Sequence, residues 1–330
     1  MRSSVNATCQ ISLELAYTPL IFRTHPNRRS TVTGGTTLKL ATYEHNGQTR
    51  IGALKDGSLV DLTDTFVSIK SLLEGGDDAL AKARAAVDAA SETILESDVR
   101  YLPPVPDPNK LLCLAGNYQS HVEEGGGYFP GKEKTWPRVF MKPPSTTIIG
   151  DGDKIVLPRN AQKIDWECEL AVVIGKHARF VGAADGLDYV AGYTVMIDVS
   201  ERELKVPDAR EDRDGDKWFD WLNGKWLDTF APCGPVIALK DEIPDPHALA
   251  IKLRVSGDTK QDGNTGQMTY SVAELVSWIS ELVTLEPGDI IATGTLAGVG
   301  ATTGEFLKAG DNVEGEIEGI GVLKNPVTGE

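Results

Sequence analysis

Asp165, Glu167 and Glu169 occupy every second position of DWECELAVVIG, residues 165–175, a run otherwise made of Trp, Cys, Leu, Ala, Val, Ile and Gly. The β-branched tail and the closing Gly175 read as a strand, in which successive side chains alternate between faces, so the three carboxylates are expected to share one. A like-charged pair about 4 Å apart costs on the order of 1 kcal/mol in water and about four times that at an effective dielectric of 20. A solvated strand face would tolerate such charges, but it fits poorly beside LAVVIG, which predicts burial of the same segment. A bound cation is the more economical reading. Carboxylate oxygens without His or Cys favour Mg²⁺, Mn²⁺ or Ca²⁺ over zinc. A further ligand is expected at Asp198, where the apolar run YVAGYTVMID stops. The same residue also fits a helix N-cap ahead of SERELK, and the pattern leaves both readings open.

A second constellation lies in GNYQSHVEEGGG, residues 116–127. His121 and Glu124 are three apart, so on a helical turn the carboxylate can orient the imidazole and support it as a general base. By itself His-x-x-Glu is a weak signal, and a surface His beside an acid is the bland alternative. The glycine run 125–127 and the following YFPGKEKTWP suggest a mobile segment that orders over a substrate.

These groups need a scaffold, and the chain predicts one made mostly of strands. After residue 36, TLKLATYEHNGQTRIGALKDGSLVDLT reads as strands turning at Asn46-Gly47 and Asp56-Gly57, followed by two helices in VSIKSLLEGG and DDALAKARAAVDAASETIL. YLPPVPDPNK, residues 101–110, has four prolines in ten positions and reads as a stiff linker. Beyond it come short β-type runs, among them KLLCLAGNY, RVFMKP, CGPVIAL, LAIKLRVSG, DIIATGT and NVEGEIEGIGVL. One clear helix intervenes, opened by a capping box of Ser271 and Glu274. The expectation is an α+β, β-dominated chain in three segments: 1–36 an extension or leader, 37–104 a small N-terminal α+β domain, and 105–330 the catalytic domain. Residues 1–36 contain one acid, Glu14, and four arginines among many Ser and Thr, which suits a mitochondrial-type transit segment or an unstructured extension of a cytoplasmic protein.

Composition narrows the partners. The 330 residues carry 33 basic and 48 acidic side chains, a formal charge of −15, which argues against nucleic acid or an anionic membrane surface. No apolar run approaches a membrane span; the longest candidate, Cys9 to Phe22, is broken by Glu14 and Pro19. Cys9, Cys113, Cys168 and Cys233 are scattered, without CxxC spacing, so neither a zinc site nor a disulfide framework is expected. TGTLAGVGATTG lacks the Gly-Lys-Ser/Thr of a P-loop, and no nucleotide is implied. By strand alternation Cys168 faces away from Glu167 and Glu169 and reads as a packing residue, as does Cys233. Trp136, Trp166, Trp218, Trp221 and Trp226 are expected in the core and in a pocket wall.

Six blocks, KLLCLAGNYQSHVEE, DWECELAVVIG, YVAGYTVMIDVSERE, GKWLDTFAPCGPV, LRVSGDTKQDGNTGQM and LEPGDIIATGTLAGVG, occur in the order expected of the fumarylacetoacetate hydrolase superfamily, which the chain resembles over roughly residues 105–327. The resemblance implies a mixed β-roll catalytic domain, usually homodimeric, holding Mg²⁺ or Mn²⁺ on Glu167, Glu169 and Asp198, with Asp165 in support. It puts the His-Glu base pair on His121 and Glu124 and the family lysine on Lys225. It implies substrate contacts at Thr295, Arg202 and Lys142. The substrate class it implies is a small anionic 2-oxo acid with a 4-keto or related group, chelated so that an enolate is stabilised.

The chain departs from the pattern where Lys205 stands in place of a glutamine, a cation suited to an extra substrate carboxylate. It departs again at Leu296, which replaces proline in the TGTPAGVG block, and in the acidic, Trp-rich segment 206–224. The first expectation is a hydrolase that splits an acylpyruvate or 2,4-diketo acid into pyruvate and a carboxylic acid. The second is a decarboxylase or isomerase of oxaloacetate or an oxo-tricarboxylate, using the same enolate.

Overall fold

A computed structural model describes residues 38–159, 162–204 and 210–330. Its long sheet runs Ile94–Leu95, Ser58–Asp61, Gln48–Lys55, Lys39–His45, Ala231–Leu239, Val190–Ile197, Cys168–Ile174, Ile290–Thr295, Leu111–Ala115 and Arg138–Met141. Most neighbours are antiparallel, but Ile290–Thr295 and Leu111–Ala115 run parallel, so the sheet is mixed. A second sheet orders Asp258–Asn264, Ala250–Val255, Asn312–Ile317, Gly321–Gly329 and Ile155–Leu157. The architecture is the β-dominated α+β class expected.

Strand Cys168–Ile174 is buried along its whole length because both faces of the long sheet are covered. Cys168, Leu170, Val172 and Ile174 enter a core shared with Leu253, Val313, Ile317 and Leu323 of the second sheet. Ala171 and Val173, one step out of phase, join Ile69, Leu72, Ala83 and Val87 of the N-terminal helices. A strand buried on both faces reads as a nearly continuous apolar run, as LAVVI does. Burying one such Leu or Val contributes about 1.5–3 kcal/mol, so this strand is a rigid base for what it carries.

Local chemistry sets the turns and caps. Asn46 (φ 52°) with Gly47 (φ 73°), and Asp56 (φ 51°) with Gly57 (φ 76°), take the two positive-φ positions of tight hairpins. Helix Val272–Leu282 starts with the reciprocal Ser271–Glu274 capping box and buries Leu275, Val276 and Ile279. Among the described residues no helix is long and apolar enough to cross a membrane. Cys113, Cys168 and Cys233 are buried free thiols, as packing residues should be, and Cys9 lies outside the described residues.

The structure differs from expectation in two places. DWECELAVVIG is not one strand: Ile164–Asp165 pairs with Ser200–Glu201, the chain bends at Trp166-Glu167, and the long-sheet strand begins at Cys168. Asp165 caps that bend by accepting from its neighbour's amide, Trp166 N, at 2.7 Å. No helix follows Asp198, where a short strand, Ser200–Glu201, takes the place of the capped SERELK helix. The strands before residue 104 extend the same long sheet through Lys39–His45 against Ala231–Leu239. The proline-rich stretch after them is tied down by Thr42 Oγ1 donating to Pro104 O at 2.7 Å.

Candidate metal centre and active site

Glu169 projects from the second position of its strand, on the Ala171 and Val173 side; Glu167 sits at the bend just before it; Asp198 follows the last residue of Val190–Ile197. Asp198 N donates to Glu167 O at 2.8 Å, which locks the two chain segments together. One carboxylate oxygen from each of Glu167, Glu169 and Asp198 lies within 4.8 Å of the others, and all three residues are buried.

Three cations enclose this cluster. Lys225 Nζ donates to Glu167 Oε2 and Asp198 Oδ2, each at 2.7 Å. Lys142 Nζ donates to Asp198 Oδ1 at 2.5 Å and Val199 O at 2.9 Å. Arg202 forks, Nε to Asp165 at 2.8 Å and Nη2 to Glu167. Burial works against the charged form of Glu167, but Lys225 and Arg202 overcome it and hold its carboxyl far below the usual range. Burial likewise opposes charge on Lys225, yet Asp198 and Glu167 hold its ammonium above the ordinary lysine value. Burial wins at Lys142, whose value is lowered.

Four carboxylates and three cations leave one negative charge without a partner. It falls on Glu169, whose carboxyl burial, Asp198 and Glu167 push well above the ordinary value. Glu169 Oε2 accepts from Gly294 N at 2.7 Å. Glu169 Oε1 has no hydrogen-bond partner among the described residues although it is buried. An unpartnered buried carboxylate oxygen on a residue grouped with two further buried carboxylates is the donor chemistry an oxygen-liganded Mg²⁺ or Mn²⁺ takes, so the residues present fit a hard divalent ion.

The contact that helical spacing predicts between His121 and Glu124 forms. His121 and Glu124 lie on helix Gln119–Glu124, with Nδ1 and Oε1 2.9 Å apart. The other ring nitrogen, Nε2, faces the acidic cluster, 3.9 Å from Glu167 Oε1. A carboxylate oxygen can only accept, so Nδ1 is the donor of this contact, and in the neutral ring with that tautomer Nε2 carries the lone pair.

Other expected residues are placed as follows. Thr295, buried, donates its hydroxyl to Cys168 O at 2.9 Å and accepts from Gln261 Nε2 at 2.8 Å, so a substrate carboxylate would have to win the hydroxyl proton from Cys168 O. Lys205 lies outside the described residues. Leu296 is buried and its carbonyl accepts from Gln261 at 2.8 Å. Of the tryptophans, Trp166 is core and Trp221 is half-buried against Phe140. Trp136, Trp218 and Trp226 are 52%, 55% and 42% exposed, contrary to expectation. In helix Asp216–Asn223 Trp218 is exposed, while the Trp221 ring lies 5.6 Å from Lys225 Nζ. The segment expected to be mobile is pinned at its far end, where Trp136 stacks on Trp278 at 4.8 Å and Lys132 pairs with Glu274 at 2.7 Å. Between helix Gln119–Glu124 and those pins lies a cavity of about 510 Å³ lined by Gln119, Tyr128, Lys132 and Met268.

Asp165 is held by main-chain amides as well as by a side chain. Besides Arg202 it accepts from Gly300 N (2.5 Å) and Ala301 N (3.0 Å). Arg202→Met strands the buried Asp165 and Glu167 charges and should cost about 3–5 kcal/mol in urea unfolding. Gly298 N and Thr302 Oγ1, which hold Glu124 at 2.8 and 3.0 Å, were not foreseen. The signal was present in GVGATT, because Gly298 has φ +103° and a Cβ there would meet Lys260 O at 2.1 Å.

Comparison with known proteins agrees with this arrangement. The chain is 42% identical over 278 residues to the mitochondrial oxaloacetate tautomerase Fahd2a of Rattus norvegicus, covering 82% of this chain and 84% of that one. It is 43% identical over 262 residues to the human mitochondrial oxaloacetate tautomerase FAHD2A, covering 79% of each. Among solved structures, the fumarylacetoacetate hydrolase of Exiguobacterium antarcticum matches with a TM-score of 0.73 at 32% identity, over 89% of this chain and 100% of that one. Maleylpyruvate hydrolase of Sphingobium sp. SYK-6, solved with a manganese(II) ion and pyruvate, matches with a TM-score of 0.72 at 27% identity, over 88% and 99%. Residues 110–328 match the fumarylacetoacetate (FAA) hydrolase C-terminal family, and with relatives aligned along most of both chains, this protein belongs to that family.

Proposed function

We propose that the protein is a divalent-metal-dependent enzyme interconverting the keto and enol forms of a small 2-oxo dicarboxylic acid of the oxaloacetate type. The observation that carries this reading is the aim of His121: its Nδ1 is held by Glu124 while its Nε2 faces the acidic cluster. The tautomerase names of the relatives support isomerisation over the carbon–carbon hydrolysis that ranked first from the sequence. The hydrolase reading keeps some support from the maleylpyruvate hydrolase likeness.

Glu167, Glu169 and Asp198 would hold Mg²⁺, or Mn²⁺, and when bound the ion supplies Lewis-acid polarisation of the 2-oxo group. His121 Nε2 takes a proton from C3 of the keto acid as the C2–C3 double bond forms, and the imidazolium then gives that proton to the C2 oxygen, so the isomerisation balances without a co-reactant. Lys225 offsets negative charge growing on that oxygen. Trp221 and Phe140, near Lys225, keep water from its ammonium and so strengthen that offset. Arg202, Lys142 and Thr295 are proposed as further substrate or cluster contacts. A homodimer and a mitochondrial location, the latter carried in the relatives' names, are proposed alongside.

With Mg²⁺ present, the enol absorbance of freshly dissolved oxaloacetate should decay far faster with enzyme than without it, and no stoichiometric pyruvate should appear. Release of carbon dioxide with pyruvate would move the assignment to a decarboxylase. Pyruvate plus a second acid from an acylpyruvate, with oxaloacetate left untouched, would restore the hydrolase reading.

A further inference from the structure

The turn after strand Ile290–Thr295 holds both halves of the site at once. Gly298 N and Thr302 Oγ1 donate to Glu124 Oε2 at 2.8 and 3.0 Å. Two residues along, Gly300 N and Ala301 N grip Asp165, which in turn holds Arg202 on Glu167. Trp166 Nε1 closes the bracket by donating to Gly298 O at 3.1 Å. A stretch of five residues therefore sets the spacing between the imidazole pair and the acidic cluster.

Of the groups this turn donates to Glu124 and Asp165, Thr302 Oγ1 is the side-chain one, the others being the amides of Gly298, Gly300 and Ala301. Its hydroxyl has a single proton and two acceptors in reach, Glu124 Oε2 at 3.0 Å and Val299 O at 2.9 Å. A carboxylate outcompetes a neutral carbonyl for such a proton. With Oε2 filled by Gly298 and Thr302, Oε1 is left to His121 Nδ1, at 2.9 Å, and the carboxylate cannot turn away from the ring. Thr302 itself is exposed, so it contributes little to the core that its replacement could damage.

We propose that Thr302 is a positioning residue that fixes the Glu124 carboxylate and thereby selects the His121 tautomer with Nε2 free. The inference rests on the reading of His121 as the base, and its test is independent of turnover. In protein labelled with ¹⁵N-histidine, the His121 ring, identified by its loss in His121→Gln, should show the Nδ1–H tautomer in the wild type. It should show a mixture of tautomers in Thr302→Val and the wild-type pattern again in Thr302→Ser. A Thr302→Val ring with the wild-type pattern would overturn the proposal. In steady-state kinetics Thr302→Val should lower kcat about ten-fold with KM unchanged, the effect of one hydrogen bond, and Thr302→Ser should restore it. A wild type that turns over no 2-oxo acid removes the functional reading, and the tautomer pattern then decides this proposal alone.

Discussion

His121→Ala should lower kcat for keto–enol interconversion by about 10²–10⁴-fold while calorimetric titration with Mg²⁺ or Mn²⁺ stays near the wild-type affinity. The reason is a division of labour in the geometry. His121 is tied to Glu124 on its own helix and touches the acidic cluster only across 3.9 Å, so its loss removes a proton carrier without removing a ligand. Glu124→Gln should fall between the two, because an amide can still meet the ring but no longer favours one tautomer. A His121→Ala enzyme within a few-fold of the wild type would hand the base to another group and leave the metal assignment standing.

Glu169→Gln should do the reverse to stability of what a buried substitution normally does. In metal-free protein Glu169 is a buried acid crowded by Asp198 and Glu167, with one oxygen unpartnered. Removing an acid whose carboxyl is held well above its ordinary value should raise metal-free stability by roughly 1–3 kcal/mol at neutral pH, a gain that fades as pH falls through the unfolded glutamate value of about 4.3. The wild type should gain about 2.7 kcal/mol when the ion is at one hundred times its Kd, and Glu169→Gln should gain almost nothing. Urea unfolding of both proteins with and without Mg²⁺ reads all four states. A full metal-induced gain in Glu169→Gln would show that the cluster is a protein-neutralised ion network and not an ion site.

The residues that carry chemistry were legible where the signal is local. Glu169 announces itself because a carboxylate inside an apolar strand has no cheap alternative, and the His121–Glu124 contact because helical spacing alone makes it, whereas Asp198 fitted a helix cap equally well until the fold removed the helix. What was not legible is long-range. The neutralising partners of the cluster, Lys142, Lys225 and Arg202, reach it across 56, 58 and 35 residues, and Glu124 meets Gly298 across 174. Charge counting at the strand had therefore assigned to a metal all the compensation that three protein cations largely provide. The bend at Trp166-Glu167 also escaped, because alternation in a sequence looks the same whether one strand continues or two short ones meet.

The pairing of Lys39–His45 with Ala231–Leu239 bears on how the protein can be handled. Residues 110–328 alone match the family, which invites trimming the chain to that length. Such a fragment would bare the edge of Ala231–Leu239 and uncover Ile237, Leu239, Ala171 and Val173, which the N-terminal strands and helices now shield. An unpaired apolar edge is a template for clumping of chains, so the shortened protein should precipitate on expression even though Glu167, Glu169, Asp198, His121 and Glu124 are all retained.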